Sequence, residues 1–319
     1  MTAPQPPVLV LVAHGTRSGK GVEMIAALAE AVGRELGHRS APAGNRCVHN
    51  AVGGPSAGNF RAAIRSADHG PAGCGCVGDP FAESGAVSGR FTARVSVRTA
   101  FVDVLGPSPS EVLGDLVAQS PECADLAPAV VVPAFLASGY HVYQDVPREV
   151  GDSGHSAVTV TAAMGPDPAL ARIMAVRLRA AGWRPGDAVV FAAAGSSDPR
   201  ALADVRRAAA MLTAQLSTPV RTAYVATGTP CVPEVVAQLR AQGHERVFIA
   251  SYLLAHGLFH ERLHRVGATG VADPIGVHPA VVRLIADRYR TAARAEFGCP
   301  ADGSAGPRPR ESPGAGLRP

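Results

Sequence analysis

Three side chains that can bind a metal ion or carry a proton follow three separate strand-like runs in this 319-residue sequence. His14 follows the apolar run that begins at Val8, Asp103 follows VRTAFV, and His141 comes shortly after AVVVP. In an open parallel sheet, ligands bind at the carboxyl ends of the strands, which share one edge. We therefore expect the three side chains to converge.

Two neutral imidazoles and one carboxylate suit a divalent first-row ion such as Fe²⁺, Co²⁺, Ni²⁺ or Zn²⁺. Three protein ligands leave coordination positions open, which favours a transient or catalytic ion over a structural one. Histidines with an ordinary pKa of ~6.5 can also accept protons near neutral pH.

An internal repeat indicates how these residues are positioned. VRTAFVDVLGPSPSEV, from Val97, returns 123 residues later as VRTAYVATGTPCVPEV, from Val220. LVAHGTRSGKG is similar to FAAAGSSDPRA at an offset of 180, and VVPAFLASGYHV to IASYLLAHGLFH at an offset of 118. GPDPALARIM likewise returns as IGVHPAVVRLI. One structural unit is therefore present twice.

The second copy lacks the three chemical groups. At the same offsets, His14, Asp103 and His141 correspond to Ala194, Ala226 and Phe259. His260 is one position away from the counterpart of His141, so a one-residue shift would restore one candidate. The repeat acts as an internal control, because the same fold forms without these groups.

Strand-like and helical patterns alternate in both copies. We predict strands at 7–13, 97–102, 129–133, 157–161, 188–193, 219–225, 246–251 and 269–272, and helices at 22–36, 108–119 and 168–181. Asp167 is the predicted N-cap of the last helix, with Pro168 at its first position. Strict alternation predicts an α/β fold of two similar lobes, each a parallel sheet flanked by helices, which face each other across a cleft.

The predicted domains follow from the repeat. Residues 1–185 form an amino-terminal lobe that carries the site, and residues 186–296 form a second lobe without it. The fall in offset from 180 to 123 leaves about 57 extra residues in the first copy, which places an insertion at about 40–96. This stretch and the tail at 297–319 are rich in Gly, Ala, Ser and Pro and are predicted to be loop or disorder.

Composition excludes several classes of function. Apolar residues make up 47% and charged residues 18%, as in soluble globular proteins. A net charge of +4 and an aromatic content of 5% give no nucleic-acid signature. The apolar run at Val8–Val12 is too short for a signal core or a membrane span, so we expect a cytoplasmic protein. Six cysteines without regular spacing do not predict a disulfide framework.

The stretches LVAHGTR, AFVDVLGPSPSEV and PAFLASGYHVYQDVP resemble those of the class II tetrapyrrole chelatases, the CbiX/SirB-type sirohydrochlorin chelatases in their two-lobed form. The resemblance covers nearly all of the chain except the insertion and the tail. It implies insertion of Fe²⁺ or Co²⁺ into sirohydrochlorin without ATP, for sirohaem or cobalamin biosynthesis, with no cofactor beyond the substrate metal. His14 and His141 fall on the family's two metal-binding histidines. Asp103 falls on an acidic residue, commonly glutamate, whose role as ligand or proton relay stays open.

The resemblance also implies a mechanism. The metal docks on the two histidines, the pyrrole nitrogens replace them one by one, and His14, His141 or Asp103 takes up the pyrrole protons. Because sirohydrochlorin is polyanionic, backbone N–H groups and basic side chains are expected to contact it. The expected substrate contacts are Gly15, Thr16, Arg17, Ser138, Gly139, Tyr140, Gly195, Ser196 and Ser197, with Lys20 as a further positive charge. A monomer or a homodimer is expected.

Two other functions fit part of the pattern. A non-enzymatic metal or tetrapyrrole carrier would use the same ligands, and only turnover separates it from a chelatase. A histidine phosphatase would need an arginine directly before the histidine, where this chain has Ala13, and would leave the repeat unexplained.

Simpler structural interpretations apply to several motifs. Asp103 could cap the helix that follows Pro107. GTRSGKG has neither the glycine spacing nor the Ser or Thr of a Walker A loop. The histidines at 256, 260 and 264 share one helical face, predicted to be solvated, with a second metal path as the alternative. The spacings of Cys47, His49, Cys74 and Cys76 match neither zinc sites nor iron–sulfur clusters.

Overall fold

The structure is a computed structural model that describes residues 5–37, 95–103, 105–119 and 126–298. Its strands are β1 Val8–His14, β2 Val97–Val102, β3 Ala129–Pro133, β4 Val158–Val160, β5 Ala188–Gly195, β6 Val220–Thr227, β7 Val247–Tyr252 and β8 Gly270–Val271. They form two four-stranded parallel sheets with the orders β2-β1-β3-β4 and β6-β5-β7-β8. The predicted fold class is confirmed.

Helices lie between the strands as the alternating pattern predicts. They are α1 Gly19–Gly37, α2 Pro109–Ala118, α3 Val146–Asp152, α4 Pro168–Ala180, α5 Pro199–Leu216, α6 Val232–Ala241, α7 Leu258–Leu263 and α8 Pro279–Phe297. Asp167 caps α4 through the Ala169 N–H, as predicted from the sequence. A π-helical turn at His141–Asp145, which leads into α3, was not predicted.

Strand register reproduces the offsets of the sequence repeat. Leu9 pairs with Val97 in the first sheet, and Val189 pairs with Val220 in the second. The β1–β3 and β5–β7 pairs likewise differ by 180 and 118 residues. The registers agree as far as Ala193 and Tyr224, after which the β5–β6 pair shifts by one residue at a β-bulge. Ala194 and Ala226 are therefore compared with His14 and Asp103 by their sequence offsets.

Each sheet buries both of its faces. Along β1, Leu9 and Leu11 pack into a central apolar cluster, whereas Val8, Val10 and Val12 pack into an outer one. This alternation has the two-residue period of a strand. The outer clusters contain residues of α2 in the first half and of α6 in the second.

The last helix of each repeat packs against the other repeat. α4 contacts α5 and β7, while α8 contacts α1 and β3. Both sheets consequently belong to one compact unit that shares a central core. The sequence pattern did not reveal this helix exchange, in which α4 and α8 each pack against the other repeat. The lobe boundary between residues 185 and 186 stays a prediction. The cleft between the lobes also stays a prediction.

Some expectations fall outside the described residues. These include nearly all of the predicted insertion at 40–96, most of the tail at 297–319, and Cys47, His49, Cys74 and Cys76. Among the helices that the structure describes, none has the length and apolar character needed to cross a membrane.

Candidate metal-binding site

His14 ends β1 with a defined ring orientation. Its Nδ1 atom lies 2.8 Å from the carbonyl oxygen of Gly15. Since a carbonyl only accepts hydrogen bonds, Nδ1 carries the proton, and Nε2 keeps the lone pair that binds a metal. The side chain is 48% exposed, so this nitrogen is within reach of solvent ions.

Asp103 lies beside His14 because the chain turns sharply after β2. Its backbone is left-handed, with φ 62°, a conformation that aspartate tolerates better than most residues. Its Oδ2 atom is 3.5 Å from His14 Nε2. Asp103 does not cap α2, since Ser108 occupies that position and accepts from the Glu111 N–H.

The glycine after His14 permits this approach. A Cβ atom on Gly15 would lie 2.8 Å from the carbonyl oxygen of Asp103 and 2.9 Å from the backbone nitrogen of Leu105. Both neighbours are main-chain atoms, which cannot rotate away. The His-Gly pair in the sequence thus combines a metal-binding ring with the space that brings the β2 turn next to it.

His141 meets His14 from the π-helical turn that follows the neighbouring strand β3. The two ring centroids are 5.1 Å apart at an interplanar angle of 78°. His141 Nδ1 lies 2.6 Å from Asp145 Oδ2, and the ring stacks against Phe135 at 6.0 Å. Because an ionised carboxylate is an acceptor, Nδ1 is again the donor, and His141 Nε2 remains available.

The π-helical turn sets the spacing between His141 and Asp145. The Val146 N–H bonds to the His141 carbonyl, one residue further back than in an α-helix. Pro147 follows directly; it has no N–H, and in a regular α-helix its ring would clash with the Tyr143 carbonyl. A widened turn relieves that conflict, and such turns are frequent at functional sites.

The distances fit one shared ion. Two imidazoles bound at roughly 2.0–2.1 Å place their ring centres about 4.5–5.5 Å apart, and two ligand atoms of one tetrahedral ion lie about 3.4 Å apart. The His14–His141 separation and the His14–Asp103 separation match these values. In the described part of the chain, however, no three His, Cys, Asp or Glu side chains are arranged to hold an ion together. The geometry is that of an open, two-imidazole site with a carboxylate beside one ring.

A cavity of about 440 Å³ opens next to this pair, and every residue that lines it belongs to the first half of the chain. Its charged lining consists of three carboxylates and one guanidinium: Asp103, Asp145, Glu149 and Arg148. Hydrogen bonds from Ser110 lower the pKa of Glu149, so it is ionised near neutral pH. The excess of carboxylates makes this cavity suited to a cation.

The predicted substrate contacts lie on three loops near the histidines. Gly15 is buried, Thr16 is half-buried and Arg17 is exposed on the first loop; Tyr140 is exposed on the second. The Ser138 N–H is already bonded to Asp204 Oδ2 at 2.9 Å, which leaves the Ser138 side chain for any contact with substrate. Gly139 and Ser196 lie close together, while Gly195 approaches Thr227 and Ser197 is exposed. Their role in substrate binding stays a prediction.

The histidine series in the second half differs from the prediction of a solvated face. His260 is only 4% exposed, and its Nε2 lies 3.2 Å from the Ala272 carbonyl oxygen. The rings of His256 and His264 flank it at 5.0 and 4.9 Å. Burial lowers the pKa of His260, which keeps it neutral. The helix is short and lies against the sheet, so the middle histidine points inward.

Sequence reasoning missed the residues that orient His141. Asp145 is 13% exposed and also pairs with Arg148 at 3.1 Å, and Arg148 in turn reaches Glu149 at 3.7 Å. The signal was present in HVYQD, since a histidine and an aspartate four residues apart face each other on a helical turn. It was overlooked because no helix was predicted there.

A comparison with protein-family models identifies the family of both repeats. Residues 86–181 and 188–292 each match the CbiX family model, so the model matches twice, once in each repeat. The chain belongs to the CbiX family. The resemblance inferred from the three sequence stretches is thereby confirmed.

Solved structures share the fold at low sequence identity. SirB from Bacillus subtilis with Fe³⁺ aligns with a TM-score of 0.63 at 19% identity, over 92% of this chain and 98% of that one. The sirohydrochlorin chelatase SirB from Bacillus subtilis subspecies spizizenii, in complex with cobalt, gives 0.60 at 19%, over 92% and 98%. CbiX, described as the terminal enzyme for sirohaem biosynthesis in denitrifying bacteria, gives 0.54 at 19%, over 89% and 99%. A search of curated proteins found no match.

Proposed function

We propose that this CbiX-family protein is a sirohydrochlorin chelatase that inserts Fe²⁺ or Co²⁺ into the macrocycle without ATP. The observation that carries the proposal is the His14–His141 pair, with ring centroids 5.1 Å apart and both Nδ1 atoms engaged by other acceptors. Family membership and the Fe³⁺ and cobalt complexes of structurally similar proteins support the choice of metal.

In this proposal the ion binds through the Nε2 atoms of His14 and His141, which leaves most coordination positions to water or to the substrate. The carboxylate-rich cavity beside His141 admits the cation. Sirohydrochlorin is repelled by the same carboxylates, so it approaches from the side of Arg17, on the loop after β1, and Lys20, in the first turn of α1. Approach from two sides lets the ring nitrogens meet a metal that is already bound.

Metal transfer must release two pyrrole protons for each divalent ion. As each ring nitrogen binds the metal, one histidine nitrogen is freed and becomes a proton acceptor. Asp103, 3.5 Å from His14 Nε2 and 58% exposed, passes protons from this ring to solvent. Asp145 accepts from Nδ1 throughout, so it stabilises the imidazolium that forms on His141.

An anaerobic absorbance assay with sirohydrochlorin and Co²⁺ or Fe²⁺ tests the proposal. We expect His14→Ala and His141→Ala each to remove most of the protein-dependent rate, while His264→Ala, an exposed histidine of the second half, keeps it. Equal turnover in all four proteins would defeat the assignment. Stoichiometric metal binding without catalytic turnover would instead identify a metal or tetrapyrrole carrier.

A further inference from the structure

The segment between β3 and His141 is held by side chains from the other half of the chain. The Tyr252 hydroxyl, at the end of β7, donates to the Leu136 carbonyl at 2.6 Å. The Ser138 N–H donates to Asp204 Oδ2, on α5, at 2.9 Å. The main-chain groups of a loop have no hydrogen-bond partners in a neighbouring strand. The two side chains supply such partners here, Tyr252 for the Leu136 carbonyl and Asp204 for the Ser138 N–H.

Close packing limits the same segment from two sides. A Cβ atom on Gly139 would lie 3.1 Å from the Ala201 Cβ, and one on Gly165 would lie 2.9 Å from the Leu136 carbonyl carbon. The first contact comes from α5 and the second from the turn before α4. Movement of the loop toward α5 or toward the turn that carries Gly165 is therefore restricted.

A third contact reaches the π-helical turn itself. The Arg200 guanidinium lies 3.9 Å from the centre of the Tyr143 ring, a cation–π distance. Asp198 orients this guanidinium through an ion pair of 2.8 Å. Tyr143 is two residues from His141, so both ends of the histidine's local segment contact the second half.

The two hydrogen-bonding side chains suit a permanent structural role. Tyr252 is 3% exposed, and its burial raises the pKa of its hydroxyl well above the ordinary value, so it remains a neutral donor. The Asp204 side chain is 16% exposed and also lies 3.8 Å from the Arg207 guanidinium. A carboxylate held in this way accepts from Ser138 without competition from bulk water.

We propose that Tyr252 and Asp204 are positioning residues, which fix the main chain ahead of His141 so that its ring stays within one ion's reach of His14. The half of the chain that lacks the metal-binding groups would thus contribute to the site by holding it together. The inference rests on the proposed function, because it takes His14 and His141 as metal ligands.

The test measures Co²⁺ affinity of the full chain by visible absorption, with Tyr252→Phe compared with Tyr289→Phe. Tyr289 is a matched control: it is also 3% exposed, and its hydroxyl donates at 2.6 Å to a carbonyl in the other half, that of Pro7. Pro7 lies before β1, at the end of the sheet opposite to His14. Both variants lose one buried hydrogen bond, so thermal unfolding should report similar losses of stability.

We expect Tyr252→Phe and Asp204→Ala each to weaken Co²⁺ binding about 10-fold, as is typical when a group that orients a ligand is lost. Asp204→Asn keeps an acceptor oxygen and should restore most of the affinity. Tyr289→Phe should bind Co²⁺ as the wild type does. If Tyr252→Phe fails to fold, the Asp204→Ala and Asp204→Asn pair decides the question alone.

Two outcomes separate this inference from the proposed function. Co²⁺ affinity in Tyr252→Phe and Asp204→Ala equal to that in Tyr289→Phe would overturn the positioning role. Unchanged Co²⁺ affinity in a His14→Ala/His141→Ala double variant would instead show that these two histidines are not the metal ligands, which contradicts the proposed function.

Discussion

The carboxyl ends of the two sheets differ in chemistry, although the strands beneath them share one register up to the β-bulge at the end of the β5–β6 pair. The four polar positions of the first half correspond, at the offsets of the paired strands, to apolar residues of the second: His14, Asp103, His141 and Asp145 to Ala194, Ala226, Phe259 and Leu263. After β3 and β7 the first helical residues are Tyr140 and Leu258, again 118 residues apart, so the comparison extends beyond the strands.

Three of these apolar replacements are packed, whereas Ala226 is exposed. Leu263 is 1% exposed within the outer cluster of the second half, and Ala194 and Phe259 pack against that cluster. The corresponding region of the first half is a cavity of about 440 Å³. The carboxyl end of such a sheet can therefore be covered by packed apolar side chains or can carry a polar site. The polar groups of the first half are not needed to form the fold.

The comparison predicts opposite effects for one pair of substitutions. His141→Ala should lower turnover at least about 100-fold, as loss of a metal ligand, but change stability little because the side chain is partly exposed. Phe259→Ala should destabilise the protein by roughly 1–3 kcal/mol through loss of packing while keeping turnover. Paired urea unfolding and absorbance assays measure both quantities. Loss of turnover in Phe259→Ala at a temperature where it is folded would break the comparison.

Asp145→Ala tests the group that orients His141. We expect Co²⁺ affinity to fall about 10- to 100-fold, because the ring loses the acceptor that fixes its tautomer. Asp152→Ala, at the exposed end of α3, is the matched control and should bind Co²⁺ normally. Isothermal titration with Co²⁺ at constant pH provides the measurement. Equal affinities in the two variants would show that Asp145 has no influence on the metal.

The strands, the repeat and the two histidines could be predicted because each depends on local sequence or on short motifs. β1, β2 and β3 have the predicted positions within one residue. Asp145 was missed because a π-helical turn has no propensity signal of its own. Tyr252 and Asp204 could not be found, since they act 116 and 66 residues from their partners and through a helix exchange that only the tertiary structure displays.

His260 should affect stability, with a defined pH dependence. Burial lowers its pKa in the folded state, so below about pH 6.5 the unfolded chain binds more protons, and stability falls as the pH drops. The group contributes at most about 1.4 kcal/mol per pH unit. His260→Gln keeps a donor for the Ala272 carbonyl but cannot titrate. Urea unfolding between pH 7.5 and 5 should show that the free energy of unfolding falls less in this variant than in the wild type.

His155 and His278 add to the loss of stability at low pH. Burial lowers the pKa of both side chains, so protonation of either one favours the unfolded state, as it does for His260. Their contribution to the pH dependence of stability should therefore remain in the His260→Gln protein. An identical pH dependence in the wild type and His260→Gln would mean that His260 does not titrate differently on folding.

Moving the two imidazoles to the second half should have the smallest effect. We expect a protein with His14→Ala, His141→Ala, Ala194→His and Phe259→His to turn over no faster than the double alanine variant in the absorbance assay. A histidine at 259 would have Leu263 where His141 has Asp145, so its tautomer would be unfixed. Supplying the carboxylate by Leu263→Asp would place a charge in an apolar cluster at a position 1% exposed, which costs several kcal/mol. Restored turnover in the four-substitution protein would show that ring placement alone suffices; its absence would show that a further group of the first half is needed, such as the Asp145 acceptor or the Asp103 carboxylate.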